Sequence, residues 1–355
     1  MYICHRNQSS KPMAKPTIND IAKALNITPS TVSRALAGNT RVSEATRLSV
    51  ERKASELGYE RNILASSLRR GVSDTVGMIV PRINRQFFSN VISGAEAILN
   101  PAGYNLLICQ SHERLEDEKR GLQTLIRNQV AGIIMSHSLE SENGNHIAEI
   151  TRGSVKLVQF DRVFSDLPGA KIVNDNFTGA FLATKHLIKN GYRRIGTLAG
   201  GLVSAAYRER LDGYKSALES EGMTVDDDII FPDTVVRDKG IERTAIAIER
   251  GCDALYCAGD YAALGALECA RGKGLEVPRQ FGIVGTANEI FTELTTPSIS
   301  TLELNAFDMG NRAAQAFLDI NSQNKTGLVT VTVPMRLIIR ETSVRKPVTH
   351  TIAEI

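Results

Sequence analysis

The chain has 355 residues, 42% apolar and 23% charged, with 42 Lys+Arg against 39 Asp+Glu and a net charge of +3. That length exceeds one typical domain, so two or three units are expected, and the composition is that of a globular protein rather than a disordered or fibrous one. It excludes a membrane-spanning helix, because no apolar run approaches the ~20 residues a bilayer demands. It also argues against a disulfide or zinc framework: the five cysteines (Cys4, Cys109, Cys252, Cys257, Cys269) are scattered without a CxxC pair and read as small buried hydrophobes.

The charge is uneven along the chain. Residues 1–71 hold 12 Lys+Arg and 5 Asp+Glu, a net of +7, and the remainder holds 30 and 34, a net of −4. A basic front on a mildly acidic body suits a polyanion partner for the front alone; a solvated basic tail is the plain alternative. Residues 1–15 are polar and without periodicity, and read as a disordered leader. They lack the apolar core of a signal peptide, which predicts a cytoplasmic protein, and Met13 is an alternative start.

Residues 16–60 read as a three-helix headpiece. Thr17 is a good N-cap and Asp20 stands where an acid favours a helix start; Ile18, Ile21, Ala22 and Leu25 then share a face. Asn26-Ile27 makes a tight turn, Thr28 caps a second helix and Pro29 opens it at N1, where the missing N–H costs nothing. Val32, Ala35 and Leu36 supply its buried face, leaving Ser30, Thr31, Ser33 and Arg34 outside. A short helix with hydroxyls and an arginine on its free face suits the DNA major groove. Two such helices cannot bury a core alone, so a third is expected, capped by Ser43, with Ala45, Leu48, Ala54 and Leu57 as its apolar stripe and Gly58 as its end.

From Thr75 the pattern changes to short apolar strands alternating with helices. Strands are expected at 76–80, 105–109, 132–135, 157–160, 194–199, 254–257 and 281–285. Helices are expected at 87–99, 113–128, 177–190, 206–221, 260–273 and 307–321. Strands that are nearly continuously apolar belong to a parallel sheet covered on both faces. Two successive sets of βα units suggest two similar lobes, with one large sheet or two small ones left open. No Gly-x-Gly-x-x-Gly follows a strand, and no catalytic constellation or metal-binding cluster stands out. The six histidines (His5, His112, His137, His146, His186, His350) are dispersed. No cofactor is expected.

In an open α/β lobe a ligand binds beyond the carboxyl ends of the strands. There the sequence puts Pro81 to Phe88, Ser111, Ser136 and Asp161-Arg162, facing Asn174-Asp175, Arg208, Arg210, Gly259-Asp260 and Thr286 to Glu289. Phe87 or Phe88 as a wall, with Asp161 and Arg210 for hydroxyl groups, forms a set suited to a small polar ligand such as a sugar.

The pattern Thr17-Ile18, Asp20-Ile21-Ala22, Thr31-Val32-Ser33-Arg34-Ala35-Leu36, Val42-Ser43, Thr46-Arg47 and Leu57-Gly58-Tyr59 closely resembles the headpiece of the LacI/GalR family of bacterial transcription repressors. The resemblance continues through most of the chain. It implies an α/β fold class with an N-terminal helix-turn-helix headpiece and two Rossmann-like lobes of the periplasmic-binding-protein type, joined by three crossovers. The lobes are expected at about 75–173 with 303–326 and 174–302 with 327–345, followed by a tail at 346–355. The resemblance makes residues 61–74 a hinge that folds on DNA, with Ala65 and the wedge residue Leu68 in the minor groove; a plain linker is the alternative. Implied DNA-binding residues are Thr17, Thr28, Pro29, Ser30, Thr31, Ser33, Arg34, Asn39, Asn62, Ala65, Leu68 and Arg69. Implied effector-binding residues are Phe87, Phe88, Ser111, Asp161, Arg162, Asp175, Arg208, Arg210, Asp260 and Asn288.

The chain departs from the family pattern at Gly259, where many members carry Asn, and at Ala287, where many carry Asp; polar contacts there are absent or moved to Asn288 or Glu289. The function this implies is a ligand-responsive, non-enzymatic repressor that binds palindromic operator DNA as a homodimer, with a sugar-type effector. Ile92, Glu96 and Leu264–Leu267 are candidate dimer contacts, and a tail without leucine heptads favours a dimer over a tetramer. The competing readings are a solute-binding protein without a DNA role and an α/β enzyme with a helical cap.

Overall fold

In the computed structural model, which describes residues 16–36, 38–59, 73–151, 155–323 and 329–345, helix α1 (Ile18–Leu25) opens on a side-chain cap. The Asp20 carboxylate reaches back to accept from the Thr17 N–H at 2.8 Å and its hydroxyl at 2.7 Å. Asn26 adopts a left-handed conformation, φ 52°, which ends α1 and turns the chain into α2 (Pro29–Leu36). Ser43 accepts from the Thr46 N–H and starts α3 (Glu44–Glu56). At its end the Gly58 N–H reaches Ser55 O and the Tyr59 N–H reaches Ala54 O, a Schellman closure that needs the left-handed Gly58, φ 64°.

The core of this unit is Ile21, Ala22, Val32, Ala35, Val50 and Ala54, with Tyr59 packed on its edge. One expectation for α3 fails. Ala45, Leu48 and Leu57 are exposed, and Val50 with Ala54 makes the buried face instead. The apolar residues of α3 are too few to define a stripe, and the face is set by contact with α1 and α2.

The chain divides into two compact units, 1–72 and 73–355. The second unit carries two parallel sheets. In the first lobe, β1 (Thr75–Val80), β2 (Asn105–Gln110), β3 (Gly132–Met135), β4 (Lys156–Phe160) and β5 (Ala170–Asn174) are joined by a late strand, β11 (Thr330–Val333), in the order β11-β5-β4-β3-β1-β2. In the second lobe, β6 (Ile195–Leu198), β7 (Ile230–Phe231), β8 (Ala254–Cys257) and β9 (Gly282–Val284) run β7-β6-β8-β9, and β10 (Thr301–Glu303) pairs antiparallel with β12 (Arg336–Ile338).

Both faces of the first sheet are covered. Val76, Met78 and Val80 point to a core shared with α4 (Gln86–Leu99) and α12 (Ala306–Gln323), while Ile79 points to the one under α5 (Leu115–Arg127). Helices α4 and α12 cross backbone to backbone. A Cβ at Gly94 would meet Phe307 O at 2.1 Å and one at Gly310 would meet Val91 O at 2.1 Å, so only glycine fits either position. The second lobe is covered by α7 (Asn176–Lys189) with α8 (Ala205–Glu219) on one side and α9 (Arg237–Glu249) with α10 (Asp260–Gly272) on the other.

The chain passes between the lobes after β5, β10 and β11. Asn174 ties the three passages together: its buried amide donates to Leu304 O at 2.8 Å and to Val333 O at 3.4 Å. The expected lobe division needs one correction here. Residues 330–333, expected in the second lobe, pair with β5 and complete the first lobe's sheet. The helices α6 (Asn145–Thr151), α9 and α11 (Phe291–Leu294) and the strands β5, β7, β10 and β12 also lie outside the expected pattern. Strand β5 was masked in the sequence by Lys171, a buried lysine whose ammonium donates to Leu167 O at 2.7 Å.

Candidate DNA-reading face and inter-lobe cleft

On the headpiece, the first turn of α2 gathers hydroxyl groups. The Thr28 hydroxyl lies 2.8 Å from that of Ser30 and 2.9 Å from that of Thr31, and accepts from the Thr31 N–H at 3.2 Å. Thr17, Thr28, Pro29, Ser30, Arg34 and Asn39 are exposed, and Thr31 and Ser33 half-buried. Among the described residues the Arg34 guanidinium has no carboxylate partner. Asn39 is engaged in its own turn, accepting from the Arg41 N–H at 3.0 Å. Asn62, Ala65, Leu68 and Arg69 lie outside the described residues.

In the second unit a cleft of about 240 Å³ opens between the lobes at the carboxyl ends of the strands. Phe87 and Phe88, in the first turn of α4, form one wall; their rings meet edge-on at 5.0 Å, and Phe88 continues edge-on to Phe160. Asp161 follows β4 in a left-handed conformation, φ 57°, and its carboxylate lies 3.5 Å from the Nε of Arg162 and 3.4 Å from the Ser136 hydroxyl. Arg162 itself is clamped by Glu113 in a two-pronged pair at 2.8 and 3.1 Å, which keeps the Glu113 carboxyl below its ordinary range despite burial. Across the cleft, buried Arg210 of α8 donates to Asn176 Oδ1 at 2.8 Å and Ala258 O at 3.0 Å.

Asp260 opens α10 and is buried. It accepts from the Thr301 hydroxyl at 2.6 Å and the Glu289 N–H at 2.8 Å, and burial raises its carboxyl to about 7. Gly285 makes room for it, since a Cβ there would stand 2.1 Å from Asp260 Oδ1. The loop that follows is strained: Ala287 has φ 121° and Asn288 φ 52°.

The expected cleft residues divide into two groups. Phe87, Phe88, Asp161, Arg162, Arg210 and Asp260 line the cavity together. Four do not. Ser111 is fully buried beneath the strand end with its hydroxyl unpartnered. Asp175 caps α7, accepting from the Thr178 N–H at 3.1 Å. Exposed Arg208 folds back onto Leu202 O and Val203 O at 2.7 and 2.6 Å. Asn288 bonds Glu303 and Arg340 at 2.8 and 2.9 Å. In each of the last three, a local structural need takes the polar atoms that a ligand would use.

Glu289, Glu113, Tyr207 and Tyr261 line the cavity as well. The two tyrosines were hidden because they sit in helical first turns that read as ordinary amphipathic sequence. On the helix suggested for dimer contact, Ala266 and Leu267 pack into the second lobe's own core, while Leu264 is half-buried. A larger recess of about 770 Å³ lies on the outer face of the first lobe, between α5 and α6, and none of the expected residues lines it.

A helix-turn-helix unit in one chain with a two-lobed, clefted receptor unit defines a class, the DNA-binding regulator with a built-in small-molecule receptor. Comparison with known proteins agrees. Residues 17–62 match the bacterial regulatory proteins of the lacI family, and residues 184–343 match the periplasmic binding protein-like domain. The HTH-type transcriptional regulator RegA of Clostridium saccharobutylicum is 30% identical over 334 residues, covering 92% of this chain and 99% of that protein. The HTH-type transcriptional repressor CytR of Escherichia coli K12 is 30% identical over 335 residues, 94% and 98% of the two chains.

Among solved structures, the lac repressor dimer bound to operator and the anti-inducer ONPF superposes with a TM-score of 0.82 at 22% identity, covering 93% of this chain and all of that one (100%). A transcriptional regulator CelR–cellobiose complex gives 0.70 at 27% identity, with 92% and 99% covered. The chain belongs to the lacI family of bacterial regulatory proteins and is a ligand-responsive, DNA-binding transcription regulator. Among the described residues no helix is long and apolar enough to cross a membrane, and no cluster of three or more metal-ligating side chains occurs.

Proposed function

We propose that this regulator is a cytoplasmic repressor that binds a palindromic operator as a homodimer and releases or tightens its grip when a small, sugar-type effector occupies the inter-lobe cleft. Its role is regulatory and not catalytic, and it needs no cofactor. The observation that carries the effector assignment is the joint lining of one cavity by Phe87, Phe88, Asp161, Arg162, Arg210 and Asp260 from both lobes. An apolar wall facing a few convergent charged groups is the arrangement that orients a small polar ligand. The CytR relative is named a repressor, and the solved CelR complex contains cellobiose.

In this reading Thr28, Pro29, Ser30, Thr31, Ser33 and Arg34 meet the major groove, with Thr17 and Asn39 on backbone phosphates. Ala65 and Leu68 serve the minor groove, Asn62 caps the hinge segment and Arg69 meets a phosphate. Two headpieces read the two halves of an inverted repeat, and the ligand shifts affinity by binding the two lobe arrangements unequally. The test is a gel shift of the full chain on an inverted-repeat operator at several salt concentrations, with and without a sugar panel. The expected result is a retarded complex whose log K falls steeply with log salt, which Leu68→Ala weakens and one compound modulates. A flat salt response, or a complex indifferent to Leu68→Ala, would remove the corresponding part.

A further inference from the structure

Four arginines (Arg82, Arg85, Arg162 and Arg210) line the one small cleft, with four carboxylates: Glu113, Asp161, Asp260 and Glu289. The formal balance is even, but the carboxylates are already committed. Glu113 holds Arg162 in both prongs and Asp161 lies beside the same guanidinium. Asp260 is taken by Thr301 and the Glu289 N–H. Glu289 accepts from the backbone N–H of Gln86 at the start of α4. Burial lifts the Asp260 carboxyl to about 7, which lowers the negative charge it brings near neutral pH.

The remaining three arginines make no direct ion pair among the described residues, although Glu113, Glu289 and Asp161 lie within electrostatic range of Arg82, Arg85 and Arg210 respectively. Arg82 follows β1, and Arg85 lies over the Tyr261 ring with its guanidinium carbon 3.4 Å from the ring centre. Arg210 spends its Nε and one Nη on an amide and a carbonyl oxygen, both uncharged. Gly259 and Ala287, in the same lining, add no polar side-chain atom. A guanidinium held in a half-buried cleft, with N–H donors left free of any direct ion pair, is matched by a planar or tetrahedral oxyanion.

Accepting that the cleft is the effector site, we infer that its effector is an anionic monosaccharide-sized compound, one bearing a carboxylate or a phosphoryl group that Arg82, Arg85 and Arg210 receive. The apolar walls at Phe87, Phe88 and Val236 take the carbon skeleton, and Asp161 takes a hydroxyl. The volume of about 240 Å³ lies below the roughly 300–1,000 Å³ of pockets for larger ligands and favours one ring over two.

The test is isothermal titration and thermal shift on the full chain with four sets of probes: neutral hexoses and pentoses, the corresponding hexonates and hexuronates, hexose and pentose phosphates, and inorganic phosphate alone. At least one sugar acid or sugar phosphate is expected to bind at least tenfold more tightly than its neutral parent. The Arg82→Gln/Arg85→Gln double variant is expected to remove most of that difference while leaving operator binding without ligand intact. The carboxylate and phosphate sets tell the two anion sources apart. Binding of inorganic phosphate as tight as that of the sugar phosphates overturns the sugar part of the assignment. Tighter binding of neutral sugars overturns the anion assignment and leaves the effector site standing. Silence of every probe in a protein that still binds its operator overturns both.

Discussion

The Glu289 carboxylate of the second lobe accepts a hydrogen bond from the backbone N–H of Gln86, the first residue of α4 in the first lobe, at 3.3 Å. The Gln86 side chain returns the contact by accepting from the Ile290 N–H at 2.6 Å. Arg85, at the N-cap, supplies no side-chain cap of its own, so the helix is capped across the cleft. An anion at a helix N-terminus contributes about 0.3–1 kcal/mol when exposed and up to about 2 when partly buried. That stabilisation exists only while the lobes hold this arrangement. Glu289→Ala is therefore expected to favour an open cleft, to weaken effector binding roughly fivefold, and to raise the radius of gyration of the ligand-free protein. Unchanged scattering together with unchanged affinity would show that the bond holds nothing closed.

Asp260 predicts a pH dependence. Its carboxyl stands at about 7 in the fold against roughly 3.9 in an unfolded chain. Burial is the main cause and the charge of Glu289 adds to it; the Thr301 hydroxyl, the Glu289 N–H and Arg340 oppose it. The folded protein thus binds the proton more tightly than the unfolded one. The stability tied to the protonated form is fully present below about pH 4 and is lost as pH rises through about 7, on the order of 4 kcal/mol in all. Asp260→Asn keeps an acceptor for the Glu289 N–H and an amide beside the Thr301 oxygen, and it does not titrate. The difference in denaturation midpoint between variant and wild type should move in the variant's favour from pH 4 to pH 8. Parallel curves would reject the assignment.

The headpiece was legible in the sequence because its signals are local: Thr17, Asp20, Asn26, Ser43 and Gly58 each cap or turn within a few residues. The βα rhythm of the body was legible because strands buried on both faces are nearly all apolar. What hid were features fixed by distant partners. Strand β5 carries a buried lysine, and β11 joins the first lobe's sheet only because the chain crosses back to that lobe after β10. In the cleft, Phe87, Phe88, Asp161, Arg162 and Asp260 follow from their places after strands or in first helical turns, and Arg210 from its place in the second turn of α8. Asp175 and Arg208 occupy similar places, yet a cap and two loop carbonyls claim them. Sequence position brings a polar group near the strand ends, but competition from the backbone decides whether it faces the cavity.

Helix α3 offers a clean contrast within one turn. Val50 is fully buried at 0% exposure, whereas Leu48 is 52% exposed. Val50→Ala removes two buried methyl groups and should cost about 2 kcal/mol of headpiece stability, whereas Leu48→Ala should change it by less than about 0.5 kcal/mol. Hydrogen exchange of headpiece amides in the full chain measures both. Faster exchange in Leu48→Ala than in Val50→Ala would place the wrong face of α3 against the core.

Arg210 tests whether the cleft uses geometry or charge alone. Its guanidinium bridges Asn176 on α7 and Ala258 O after β8 at 2.8 and 3.0 Å, so it both lines the cavity and joins two elements of the second lobe. Lysine keeps the positive charge but has neither the fork nor the reach to make both bonds and meet a ligand. Arg210→Lys should lower thermal stability by about 1–2 kcal/mol, the cost of a weakened buried bond pair. Effector affinity should fall by 10- to 100-fold, about 1.4–2.8 kcal/mol. Affinity for operator without effector should change by less than about twofold, because the substitution lies in the receptor unit and not in the headpiece (about 0.4 kcal/mol). A variant that binds effector as wild type does would make the charge sufficient. One that loses operator binding in step with its melting temperature would make Arg210 a brace of the lobe rather than a ligand contact.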